Sequence, residues 1–227
     1  LAFIAPALAF KALDTTGNAE LEAEKATALN VGAIFQGDAF YASLDFWQFD
    51  FEDPFQFENG NQIVGAYTEA QCADGESGIG TVSCNVLRSR ITPNGTAIAG
   101  IQRIQRFVVN GSDIKTSGLD YAANYTWSEV LGGSVTMGLE GTYQLEYKSD
   151  DFVSRDGIFL ASGGDFVGLS NEGVPFTPLP ELKTSLFIKW GNDRHRLTMF
   201  ARHVDGYDDT APDTPAPLRV IDSHSTV

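Results

Sequence analysis

The chain has 227 residues, with 30 acidic against 15 basic side chains and a formal charge of −15. That balance excludes nucleic acid as a partner, because binding phosphate needs a basic face. No run approaches the roughly eighteen consecutive apolar residues of a membrane helix, which excludes helical spans but not spans made of strands, where half the residues are polar.

The first residue is not Met. Leu1 to Phe10 is apolar, but it has no basic leader and Pro6 interrupts it, so it does not read as a signal peptide. Ala19 to Leu29 is rich in Ala, Glu, Leu and Lys, a helix composition, and predicts a helical turn before a strand begins near Thr27. Thr27–Phe35 and Ala39–Phe51 form a hairpin around Gln36-Gly37-Asp38. The second arm breaks parity: Leu44 and Phe46 share one face, while Trp47, Phe49 and Phe51 share the other. A β-bulge near Phe46–Gln48 repairs the pattern; otherwise Trp47 points to the polar side.

A long polar connection follows, Glu52 to Gly100, containing both cysteines. Cys72 and Cys84, twelve apart in a Gly-rich stretch, suggest one disulfide and an oxidising compartment, with two free thiols as the alternative. A metal site needs further ligands, and this loop has no His. Tyr67 and Arg88 are the candidate ligand contacts of this loop, weighed against mere decoration of its surface.

Leu119, Tyr121, Ala123, Tyr125 and Trp127 then alternate with Asp120, Ala122, Asn124 and Thr126. After Ser128–Gly133, Ser134 to Tyr147 alternates strictly for about fourteen residues, far beyond the five or six of an ordinary strand. Strands of that length, apolar on one side and polar on the other, suit a wall between lipid and a wet interior. The expected fold is all-β: an antiparallel transmembrane β-barrel segment of about six to seven meandering strands, with short periplasmic turns and long extracellular loops. Leu29, Val31, Ala33 and Phe35 should face lipid with Leu119, Tyr121, Ala123, Tyr125 and Trp127. Asn30, Asp120, Asn124, Thr136 and Glu140 should face the lumen.

Leu182–Trp190 and His195–Asp205 form a last hairpin around Gly191-Asn192-Asp193, and Arg219 to Val227 reads as the start of a further strand. Connections of this length, Lys148 to Glu181 and Tyr207 to Leu218 included, are anomalous in a compact soluble domain and expected on one side of an outer-membrane barrel. Phe35, Phe40, Tyr125, Trp127 and Trp190 sit beside the short turns, as an interfacial girdle does. The acids cluster in loops, at Asp150, Asp151 and Asp156 and at Asp205, Asp208, Asp209 and Asp213. They read as solvated loops, with calcium or cation-bridged lipopolysaccharide as the sharper alternative. One register predicts Glu146 opposite Lys183 and Glu140 opposite Lys189 across neighbouring strands.

Chemistry is absent from these patterns. His195, His203 and His224 show no metal spacing, and neither a nucleophile elbow nor a phosphate loop appears. The sequence therefore predicts no catalytic residue, no metal and no cofactor.

Several segments together resemble the barrel domain of TonB-dependent receptors. Phe3-Ile4-Ala5-Pro6-Ala7-Leu8 looks like the family's F-R-A-P-x-L, with Ile4 for Arg, and Asn18-Ala19-Glu20-Leu21-Glu22-Ala23-Glu24 looks like N-P-x-L-x-P-E with both prolines replaced by Ala. Asn110-Gly111 with Thr116-Ser117-Gly118-Leu119-Asp120 is similar to the descending N-x-G…G-[LIV]-[DE] strand. Pro178 to Lys183, Trp190-Gly191 and Arg202 to Tyr207 resemble the family's late hairpin, and Ile221-Asp222 the strand after it. The resemblance implies that residues 1–227 are one partial domain of a 22-strand barrel, without the plug, the TonB box or the rest of the barrel. It implies a Gram-negative outer-membrane receptor, not an enzyme, that takes up a scarce bulky ligand such as a siderophore, cobalamin or an oligosaccharide. Its partners would be outer-membrane lipid, lipopolysaccharide, the ligand, and the TonB complex through the absent N-terminal part. A passive porin, or a secreted β-sandwich adhesin or carbohydrate-binding module, is the alternative.

Overall fold

The computed structural model describes residues 12–93, 100–170, 178–210, 215 and 218–227. The Phe3–Leu8 motif lies outside the described residues. In chain order the elements begin with β1 (Ala12–Thr16), β2 (Lys25–Gln36), β3 (Phe40–Glu52), β4 (Phe55–Phe57), α1 (Gly60–Glu69) and α2 (Val82–Arg90). They continue with β5 (Ile91–Pro93), β6 (Ile101–Asn110), β7 (Ile114–Val130), β8 (Gly133–Ser149), β9 (Phe152–Val153), β10 (Phe159–Ala161) and β11 (Gly164–Asp165). The last are β12 (Leu169–Ser170), β13 (Leu182–Gly191), β14 (Arg196–Val204), β15 (Tyr207–Asp209), β16 (Val220–Ile221) and β17 (His224–Thr226). They divide into two compact units.

One unit comprises residues 27–50, 115–148 and 165–227. Its main sheet runs β17-β14-β13-β8-β7-β3-β2, an open antiparallel meander of six long strands and a short seventh. The tight turns join β2 to β3, β7 to β8 and β13 to β14, all at one end of the sheet. Leu131 and Gly132 close the β7–β8 turn with φ of 52° and 70°, the two positive values that a type I′ hairpin needs. The last turn is held by Asn192, whose Oδ1 accepts from the amides of Arg194 and His195 at 2.9 and 2.8 Å. Phe35 packs on Phe40 and Tyr125 on Trp127, with centroids 5.8 and 4.6 Å apart, and Trp190 Nε1 donates to Val130 O. This is the aromatic band expected beside the turns.

Parity holds along each long strand. On the polar face, the Thr126 and Thr136 hydroxyls meet at 2.9 Å, and Thr142 donates to Asp120 at 2.6 Å. Gly32 lies under Asp45, which puts Asn30 on the same side. Leu29, Val31, Phe35, Tyr125, Trp127, Met137 and Leu139 expose their side chains on the other side. Trp47 takes the polar side. β3 is continuous through it, and its indole lies over Gly118, where a Cβ would clash. The bare α-carbon of Gly118 is what gives an inward indole its room.

The strand register differs from expectation. β8 and β13 are neighbours, but Lys183 faces Thr142, Lys189 faces Thr136 and Glu140 faces Ser185, a displacement of four residues. The even displacement keeps every side chain on its face. A ring laid over a glycine fits it: Phe187 lies directly opposite Gly138 and fills the space above it. Opposed charges in water contribute too little to override that packing. Glu146 pairs instead with Lys115 and Lys148.

Two further expectations change. Ala19-Glu20 forms a turn and β2 begins at Lys25, so no helix forms there: the helix-rich composition is overridden by strand pairing. The final segment splits into β16, which pairs with β15, and β17, which pairs with β14, rather than forming one strand.

The other unit comprises residues 1–26, 51–114 and 149–164. The long connections are therefore not loose loops. β6 pairs with β1 in parallel and with β4 and β5 antiparallel. α1 starts at the N-cap Asn59, whose side chain accepts from Asn61 N, and α2 at Thr81, whose hydroxyl accepts from Cys84 N. Ile63, Leu87, Ile104, Phe107, Phe152 and Leu160 form a buried core with both cysteines. Burial of each large side chain contributes on the order of 1.5–3 kcal/mol, enough together to fold a small module.

Candidate functional site

Tyr67 lies on α1 and Arg88 on α2, the two helices that flank the cysteine segment. Cys72 and Cys84 are joined, with Cα atoms 5.2 Å apart. The Arg88 guanidinium donates through Nη1 to Cys72 O and through Nη2 to Asp74, both at 2.7 Å. The Asp74 carboxylate pushes the already high Arg88 pKa further up, and the Tyr67 side chain adds to the same field. Cys72 N donates to Tyr67 O at 3.2 Å. The structure thus brings Tyr67 and Arg88 together at the edge of the disulfide segment. Two of the five Arg88 donors are committed within the module, and the side chain remains 37% exposed.

Arg88→Ala is expected to loosen residues 72–78, because it removes the guanidinium that ties Cys72 O to Asp74. Faster amide exchange confined to that segment of the full-length protein checks it. Unchanged exchange would mean that Arg88 does not brace the segment.

The groups that organise the module were not singled out by the sequence. The Glu58 carboxylate is fully buried. It binds Arg90 Nη2, accepts from Phe107 N at 2.8 Å and accepts from Arg155 N at 3.0 Å. Arg90 also reaches Gln105 O and lies 5.1 Å from the Phe107 ring centroid, and its Nη1 is 3.6 Å from Asp156. In sequence, Glu58 is one acid among many in a polar stretch, and only the fold reveals its burial. At the surface of the module, Arg103 bridges to Asp14 and holds that carboxyl below the usual carboxylate range.

The polar face of the main sheet offers a second surface. Gln144 Nε2 donates to Thr116, Trp47 packs against Phe49 with centroids 5.9 Å apart, and Phe187 against Phe200 at 6.5 Å. The contacts are hydrogen bonds and ring packing, suited to binding and guiding a solute.

Residues 3–227 match the family model described as TonB dependent receptor-like, beta-barrel. No curated protein matches the chain. Among solved structures, the chain is similar to the FrpB iron transporter from Neisseria meningitidis (F3-3 variant), with 10% identity over 93% of this chain and 24% of that one, at a TM-score of 0.46. It is also similar to a mutant ferric enterobactin receptor from Pseudomonas aeruginosa (PfeA) in complex with enterobactin, with 14% identity over 93% and 24% of the two chains, at a TM-score of 0.48. The chain spans about a quarter of the length of either structure.

Proposed function

The chain belongs to the TonB-dependent receptor β-barrel family, and from that premise we propose that it is part of an outer-membrane receptor that imports a scarce, bulky ligand with energy supplied through TonB. Members of the family are outer-membrane β-barrels and transporters rather than enzymes. The observation that carries the reading is a two-faced sheet with tight turns at one end, matched to that family over nearly its whole length. The cargo is a siderophore, cobalamin or an oligosaccharide. Lipid and lipopolysaccharide contact the apolar face, and the TonB complex acts through an N-terminal part of the receptor.

The compact module supplies ligand contacts, with Tyr67 and the exposed edge of Arg88 as its contact residues. Its braced disulfide segment presents them without the ordering cost of a loose loop. Tyr67→Ala is expected to raise the ligand concentration needed for half-maximal uptake while leaving the maximal rate unchanged.

The test is uptake of labelled ferric siderophores, cobalamin and oligosaccharides by cells that make the full-length receptor. Accumulation of one cargo, lost when TonB is deleted or the proton gradient is collapsed, is the expected result. Uptake that survives both treatments would identify a passive porin. Recovery of the full-length protein in the soluble fraction, without heat-modifiable gel mobility, would identify a secreted sandwich.

A further inference from the structure

The β13–β14 hairpin carries Lys183 and Lys189 on one strand and Arg196 and Arg202 on the other, all on the polar face. Directly opposed residues of an antiparallel pair share a face. The register opposes Lys183 to Val204, Ser185 to Arg202, Lys189 to Thr198 and Gly191 to Arg196, and it places Phe187 against Phe200 between the charges. Lys189 Nζ lies 4.4 Å from the Phe187 centroid, and the Arg202 guanidinium carbon lies 5.6 Å from that of Phe200. The opposite face of this hairpin is apolar, with Leu186, Ile188, Leu197 and Met199 exposed.

This arrangement is unusual in so acidic a chain. Seven other described cations are paired with acids: Lys25 with Glu52, Arg88 with Asp74, Arg90 with Glu58, Arg103 with Asp14, Arg155 with Glu20, and Lys115 and Lys148 with Glu146, whereas Arg106 bonds Thr15 and lies over the Phe57 ring. Among the described residues, no carboxylate lies within ion-pair distance of Lys183, Lys189, Arg196 or Arg202. The acids on the same face of the neighbouring strands include Glu140, opposite Ser185, Asp120, which accepts from Thr142, and Glu146, which is paired with Lys115 and Lys148. With acids in twofold excess, four unneutralised cations on one wall leave a local positive field for an anion. A confined wall with low-dielectric backing focuses such a field.

We propose that this wall binds a polyanionic ligand that also carries a flat apolar face. The proposal rests on the reading of the polar face as the lumen of a receptor, and it names the class of cargo. Lys189 and Arg202 stand on either side of the Phe187–Phe200 pair, roughly 13 Å apart along the strands at about 3.3 Å per residue. The two rings are tilted 52° to one another, so an aromatic ligand seated against one of them, in place of the cation that lies over it, places its acidic substituents toward both cations. Lys183 and Arg196 extend the positive track toward the two ends of the hairpin.

The probe is pyrenetetrasulfonate, a planar tetra-anion, titrated by fluorescence anisotropy into the purified full-length receptor in neutral detergent. Lys189→Gln with Arg202→Gln is expected to weaken binding about tenfold, or about 1.4 kcal/mol, and to flatten its dependence on salt. Phe187→Leu with Phe200→Leu is expected to weaken it about threefold, as loss of a stacking face does, with the salt dependence retained. Heat-modifiable mobility verifies that both variants form the barrel. Equal binding by the wild type and the charge variant, or a wild-type receptor that does not bind the probe because acidic protein surface already covers the wall, overturns the site. Loss in the charge variant alone overturns the flat-face component. If probe binding follows the expected pattern while TonB-dependent uptake fails, the site stands and the transport reading falls. If uptake succeeds without probe binding, the reverse holds.

Discussion

Replacing Arg90 with Ala is expected to unfold the disulfide-containing module or leave it largely open, at a cost of about 3–5 kcal/mol. The Glu58 carboxylate has no exposure and Arg90 is 3% exposed. Without the guanidinium, Glu58 keeps only the Phe107 and Arg155 amides as donors and becomes an uncompensated buried charge. The same substitution removes donors from Gln105 O and the cation over Phe107, so α2 loses its tie to β6. A buried pair is costly to break and cheap to replace whole. Glu58→Leu combined with Arg90→Met should therefore recover much of the loss. Trypsin cleavage between residues 52 and 114 in the full-length receptor, faster in the single variant and partly restored in the double, is the readout. Equal protection in wild type and Arg90→Ala would show that the pair does not hold the module.

The second large effect lies on the sheet. Leu139→Arg should destabilise insertion by about 2–4 kcal/mol, the cost of a cation facing lipid near the bilayer midplane. Glu140→Arg, one residue away, should cost much less, because its side chain lies on the polar face opposite Ser185. Leu139 lies directly opposite Leu186, and both are 41% exposed. Guanidinium titration of full-length receptor folded into lipid vesicles measures both variants. Similar losses at the two positions would show that the strand has no lipid-facing side.

Face assignment was legible in the sequence because it depends only on period-two alternation, which Leu119–Trp127 and Ser134–Tyr147 carry cleanly. Register was not legible. The charge pattern of Glu146, Lys183, Glu140 and Lys189 points to another register, but hydrated charges contribute little. The observed register fits Phe187 over Gly138, where a glycine's missing side chain is the signal. Trp47 follows the same rule, since Gly118 lies directly beneath its indole. The helices α1 and α2 could have been read from their caps, Asn59 and Thr81. That the connections share one core could not, because its members are distant in sequence: Ile63, Leu87, Ile104 and Phe152 meet only in the fold. In sequence, Tyr67 and Arg88 stand out by residue type alone, which does not reveal that Arg88 braces Cys72 O. The positive wall was half visible, in the period-two spacing of Lys183 and Lys189. Its Arg196 and Arg202 half needs the β13–β14 register.

The most direct measurement of the central claim is spin-label accessibility along β8 in the full-length receptor in lipid. Labels placed singly at residues 135 to 142 are exposed in turn to oxygen, which concentrates in lipid, and to a water-soluble nickel chelate. The two accessibilities should alternate out of phase. Oxygen should be highest at Val135, Met137 and Leu139, and nickel highest at Thr136, Glu140 and Thr142. Uniform nickel access at every position, or oxygen maxima on the Thr136–Glu140 face, would contradict a sheet that separates lipid from an aqueous lumen.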